Sequence, residues 1–267
     1  MSVCYTDRQK SFRLIILREK FAVINITTDE MTKSNYRDWV AYFEENDACR
    51  LDIDFSEDIA LTEEEAKLIF PSIRAFQRGE GSDGRHLLRS VDVFVQKTGE
   101  RDYRRAMELF IKEENFHSAY LKKYMDHYRI PSLKQSFLDR VFRRLRQFGG
   151  LRGEVTVLVT AEMIALSYYS ALAECTRSPV LKRICEQMLH DELPHIIFQS
   201  YTLSHFKNGF ARRAVRRIIM DVTTLFVWCA FRRVFRTGGY GLRRFMNENR
   251  GYLRQSNNIA KNKSEGL

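Results

Sequence analysis

Apolar residues recur at three- and four-residue intervals along most of this chain, the period of helices that bury one face. Ile69, Ile73, Phe76, Leu87, Val91 and Phe94 trace one broad stripe. It predicts a first core helix from Thr62, a residue suited to capping with Glu65 at the capping-box position, to about Lys97. Pro71 should bend it. Met107, Phe110, Leu121 and Tyr124 predict a second helix from Arg101 to Tyr128. Residues 154–175 are almost wholly apolar and predict a third, and Ser178-Pro179 opens a fourth with Ile184, Met188, Ile196 and Gln199 facing inward. Leu133, Phe137, Val141, Leu145 and Phe148 mark a satellite helix between the second and third, ended by Gly149, Gly150 and Gly153. Residues 36–55 predict a short helix and a strap, and residues 210–236 a fifth helical stretch. The polar tail from Arg250 onward reads as disordered. With four prolines in all, the pattern predicts an all-α fold. Its parts are an extension (1–58), a four-helix bundle (59–206) with one long crossover between two hairpins, and a C-terminal appendage and tail (207–267).

Two short words add chemistry to this frame: Glu114-Asn115-Phe116-His117 and Glu192-Leu193-Pro194-His195. Each sets a carboxylate and an imidazole three residues apart, which on a helix is one face and one turn. The other four histidines, His86, His127, His190 and His205, have no Glu at that offset. Glu80 lies 34 residues before Glu114, and Glu162 lies 30 residues before Glu192. Glu162 is also the one charged residue in 155–173, and a lone carboxylate in such a run is expensive to bury unless it is paired or binds a cation. Four carboxylates offset two divalent ions in full, and mixed oxygen and nitrogen donors suit iron or manganese. Pro194 removes one backbone hydrogen bond beside the second word and predicts a kink there. Gly79, Gly81 and Gly84 flank Glu80, either for close helix packing or to leave room beside the metals.

The order Glu, Glu-x-x-His, Glu, Glu-x-x-His over residues 60–200 resembles the ferritin-like di-iron carboxylate superfamily. That superfamily includes bacterioferritin, the ribonucleotide reductase small subunit, acyl-carrier-protein desaturases and several hydroxylases. The resemblance implies a ferritin-like bundle with Glu80, Glu114, His117, Glu162, Glu192 and His195 as metal ligands, Glu114 and Glu192 bridging. The metals would be two iron ions, with manganese or a mixed pair as alternatives. It gives Asp191 and Glu113, each just before a ligand Glu, the task of accepting the free ring N–H of the opposite histidine; otherwise both are surface charges. The implied function is activation of dioxygen for hydroxylation, desaturation or a related oxidation of an organic substrate. The alternative is non-enzymatic iron binding or storage. Met188 stands where arylamine N-oxygenases carry an extra histidine, and the cysteine pairs of rubrerythrin are missing. Tyr168 and Tyr169, two turns after Glu162, read as core aromatics before redox groups.

Charge separates the C-terminal region from the rest. Between Lys207 and Arg254 twelve Lys or Arg face only Asp221 and Glu248, a surplus that accounts for the whole formal charge of +10. A bundle does not need it. The surplus implies an anionic surface: first a membrane interface and a lipid-like substrate, with the apolar face of the helical stretch around Leu225–Phe231 inserting, then an acidic carrier protein, with nucleic acid last. Five scattered cysteines without a CxxC fit a reducing, cytoplasmic setting with membrane association as an option. The pieces LIIL and FAVINI in the first 30 residues are interrupted by charges and do not read as a secretory signal. Of two apolar segments, 155–173 is better suited to a bundle core than to a membrane span, and 218–231 is short and broken by Asp221. No flavin or nucleotide motif is apparent, so electrons should come from a separate reductase or ferredoxin; a homodimer is compatible with all of this.

Overall fold

The computed structural model describes residues 35–81, 84–133 and 149–262. Among them are eight helices and no strand: α1 Tyr36–Asp47, α2 Glu63–Glu80, α3 Arg85–Thr98, α4 Asp102–His127, α5 Gly150–Cys175, α6 Pro179–Ser204, α7 Phe210–Thr237 and α8 Leu242–Asn262. The fold is all-α, as the periodicity predicts. The expected satellite helix over 134–148 and the apolar pieces before residue 35 lie outside the described residues. Contacts divide the described chain into two units, 35–53 with 73–154 and 54–72 with 155–262, the divisions falling inside α2 and near the start of α5.

In the first unit α1 and α3 both pack on α4. Asn35 and Asp38 cap α1 reciprocally, each side chain accepting the other's backbone N–H. Tyr36, Trp39 and Phe43 then fall on one face and are buried, with Tyr36 4.5 Å from Tyr103 and Phe43 6.4 Å from Phe110 between ring centroids. The expected continuous helix from Thr62 to Lys97 is corrected. It is two helices, α2 ending at Glu80 and α3 beginning at Arg85. Gly84, which precedes α3, has a left-handed φ of +63°, and a Cβ there would meet Ile111 at 2.5 Å. Ser118 of α4 donates to the backbone carbonyl of Gln77 and accepts from its amide, which fixes the end of α2 beside Glu80. Close packing does not explain Gly79, where a Cβ would meet nothing within 4 Å.

In the second unit Thr62 caps α2 through Glu65 N–H, while the Glu65 carboxylate accepts from Thr176 and from the backbone of Arg177. Ser178 caps α6 and Pro179 opens it, as the sequence predicts. α5 is the one described helix long and apolar enough to cross a membrane, and 83% of its apolar window is buried within the fold. Tyr168 and Tyr169 are buried on it, Tyr168 donating to Ser72. α6 is hidden on every side from Gln187 to Ser204.

The C-terminal helices belong to the second unit. α8 packs on both α6 and α7, so the expected disorder from Arg250 onward is corrected. Phe245, Asn249, Tyr252, Ser256 and Ile259 repeat at helical spacing and are all buried. Asn249 and Ser256 hid that stripe from a hydropathy reading, yet both are bonded, Asn249 to Thr224 and Ser256 to Ser200 and Arg216. Glu248 reaches α5, accepting from Ser167 at 2.9 Å and from Tyr240 at 3.1 Å. Burial pushes its carboxyl up from the ordinary value against those hydrogen bonds.

Gly238 sets how closely the α7–α8 turn approaches α5, since a Cβ there would lie 2.4 Å from the carbonyl oxygen of Ala171. Gly238→Ala should therefore destabilise the protein by about 1–3 kcal/mol, as overpacking against backbone does. Gly79→Ala, in open space within α2, should stabilise it by about 0.5–1 kcal/mol. Urea denaturation of the two variants checks both signs.

Candidate metal centre

Helical geometry brings each word together as predicted. On α4, His117 Nδ1 lies 3.5 Å from Glu114 Oε1, and on α6, His195 Nδ1 lies 3.4 Å from Glu192 Oε2. These separations are long for hydrogen bonds. They match the roughly 3.0–3.5 Å between neighbouring ligand atoms when each bond to a cation is about 2.1 Å. One donor atom from each of Glu114, His117, Glu192 and His195 lies within 4.8 Å of the others. The His117, Glu192 and His195 side chains are fully buried, and Glu114 keeps 13% exposure. This buried Glu/His group can hold a metal ion: it supplies two anionic oxygen donors and two imidazoles, and a divalent cation would relieve the cost of burying its carboxylates.

Of the six ligands expected from sequence, these four are gathered in one group. Of the other two, Glu80 is the half-buried last residue of α2, and Glu162 is a buried residue of α5. α6 runs through Pro194 without ending, although the ring deletes the N–H that would bond the His190 carbonyl.

The acids that precede the words are not surface charges; both are buried. Asp191 accepts from Gln187 Nε2 at 2.9 Å and faces His190 Nδ1 at 2.8 Å. Glu113 accepts from Asn46 Nδ2, with the Arg50 guanidinium 3.7 Å away. Arg50 also lies 3.9 Å from the centre of the Phe116 ring, inside the first word. Asn46, Arg50, Gln187 and His190 were not singled out from the sequence. Gln187 and His190 could have been found, lying four residues and one residue before Asp191 on a helix. Asn46 and Arg50 sit at the end of α1 and just beyond it, where no spacing rule points to α4.

Gln199 extends the α6 face by one turn beyond His195, and helical side chains lean toward the N-terminus, here toward His195 and Glu192. It is fully buried, and neither amide atom has a hydrogen-bond partner. Unpartnered buried amides are rare because each forfeits its hydration, so a group of this kind beside a candidate ligand set is suited to a bound molecule.

Comparisons with protein families, with curated proteins and with solved structures gave no match to this chain. The reading of the site rests on its own residues.

If the Gln199 amide serves a bound molecule and not the fold, Gln199→Met should leave chelator-treated protein as stable as the parent or more stable by about 1–3 kcal/mol. A lowered melting temperature in chelator would assign Gln199 a structural hydrogen bond.

Proposed function

We propose that this chain is a non-haem di-iron oxygenase built on a ferritin-like bundle, with manganese as the alternative metal. The observation that carries the reading is the convergence of both Glu-x-x-His words on one buried group within 4.8 Å. The ligands would be Glu114, His117, Glu192 and His195, completed by Glu80 and Glu162, and the bundle helices would be α2, α4, α5 and α6. Bound there, ferrous iron would supply electrons and open coordination positions for dioxygen.

The protein's own residues have distinct tasks in this reading. Glu114 and Glu192 offset the metal charge, and the full burial of His117, Glu192 and His195 keeps bulk water from the reaction. Asp191, held by Gln187 and His190, and Glu113, held by Asn46, provide fixed acceptors that orient nearby ring N–H groups. Gln199 presents a donor and an acceptor to whatever binds above His195. A reductase or ferredoxin delivers the electrons, and the product is a hydroxylated, desaturated or otherwise oxidised organic molecule.

Metal analysis of the purified protein, together with oxygen uptake under a chemical reductant, tests the proposal. Two iron or manganese ions per chain and reductant-dependent oxygen consumption are expected. Glu114→Ala combined with Glu192→Ala should abolish both. Two equivalents of iron retained by that double variant would refute the ligand assignment. Iron far above two per chain in a large assembly would show storage in place of oxygenation.

A further inference from the structure

We propose that the outward face of α7 docks the protein onto an anionic lipid surface. α7 is apolar on two sides. Met220, Thr223, Val227 and Trp228 face inward and are buried, with Trp228 stacked on Phe235 at 5.7 Å. Within Leu225–Phe231 the Trp228 indole therefore belongs to the core, and Leu225 to the outward side. On the other side Val215, Ile218, Val222, Leu225 and Cys229 follow at intervals of three and four and are all exposed, Ile218 and Val222 by 62% and 63%. Phe210 extends this side at the N-terminal end with 82% exposure. The fourteen helical steps from Val215 to Cys229 make a stripe of about 21 Å. Packing within this fold does not require it, and contiguous exposed apolar surface of this kind marks an interaction site.

Charge decides between occupants. Lys207, Arg212 and Arg213 lie at one end of the stripe, and Arg232, Arg233 and Arg236 at the other; all are exposed. The first turn of α7 has no acid, so its arginines stand at the positive end of the helix dipole, which opposes helix stability. The one acid on the helix, Asp221, is engaged by Arg217 at 2.9 Å and by Arg250 at 2.8 Å. A second copy of the chain would suit the spacing of the stripe. However, antiparallel pairing sets Arg212 and Arg213 against Arg232 and Arg233, and parallel pairing sets each cluster against itself. An anionic headgroup layer satisfies both clusters at once, while Val215, Ile218, Val222 and Leu225 enter the acyl boundary with the helix lying in the interface plane. This inference is independent of the metal reading.

The test is flotation of the full chain with vesicles of equal phosphatidylglycerol and phosphatidylcholine, and with phosphatidylcholine alone. At low salt the protein should float with the anionic vesicles at least tenfold more than with the neutral ones, and salt should reverse this. Ile218→Asn with Val222→Asn and Leu225→Asn changes only exposed positions. It should keep the parent melting temperature and lose most of the binding. Arg212→Gln, Arg213→Gln, Arg232→Gln and Arg233→Gln together should do the same. Failure of the parent to float, or equal flotation of the apolar triple variant, overturns the proposal. So does a solution dimer, measured by light scattering, that the triple variant converts to monomer, because the stripe would then be a subunit seam.

Discussion

Everything around the candidate site answers one constraint: Glu192 and His195 are held with no exposed surface, on a helix hidden on all sides from Gln187 to Ser204. A carboxylate withdrawn from water in this way is costly unless charge or hydrogen bonds replace its hydration. The surroundings are arranged accordingly. Asp191, next in the chain, has Gln187 and His190; Glu113, next to Glu114, has Asn46 and Arg50. The buried Glu/His group at the centre of this polar layer could hold a metal ion.

The C-terminal helices show how the protein gives that layer a stable support. α8 closes over α6 with a stripe that is part aromatic and part polar, and its polar members are bonded to named partners on α5, α6 and α7. Arg216 is buried with them, donating to Ser256 and Asn257. The strongly basic segment therefore has two roles that composition alone could not separate. Its inward residues complete the second unit, and its outward arginines and aliphatic side chains face solvent along α7.

How much of this was legible in the sequence depends on whether the controlling interaction was local. Ser178-Pro179 and Thr62 act within one turn of the chain, and both helix starts lie where those residues predict. The two Glu-x-x-His words are also local, and helical geometry brings each pair together. The end of α2 at Glu80 was missed because three glycines look alike in sequence, whereas only Gly84 combines a left-handed backbone with a neighbour, Ile111, that leaves no room for a Cβ. α8 was missed because Asn249 and Ser256 occupy core positions that a hydropathy pattern assigns to solvent. The hold of Asn46 on Glu113 spans 67 residues and has no sequence signature.

The most direct test of the metal centre is anomalous X-ray diffraction from crystals of protein loaded anaerobically with Fe(II), measured at the iron edge. The account predicts two strong peaks within bonding distance of Glu114, His117, Glu192 and His195. An iron-loaded crystal with no peak at these side chains, or with its iron bound elsewhere on the chain, would contradict it.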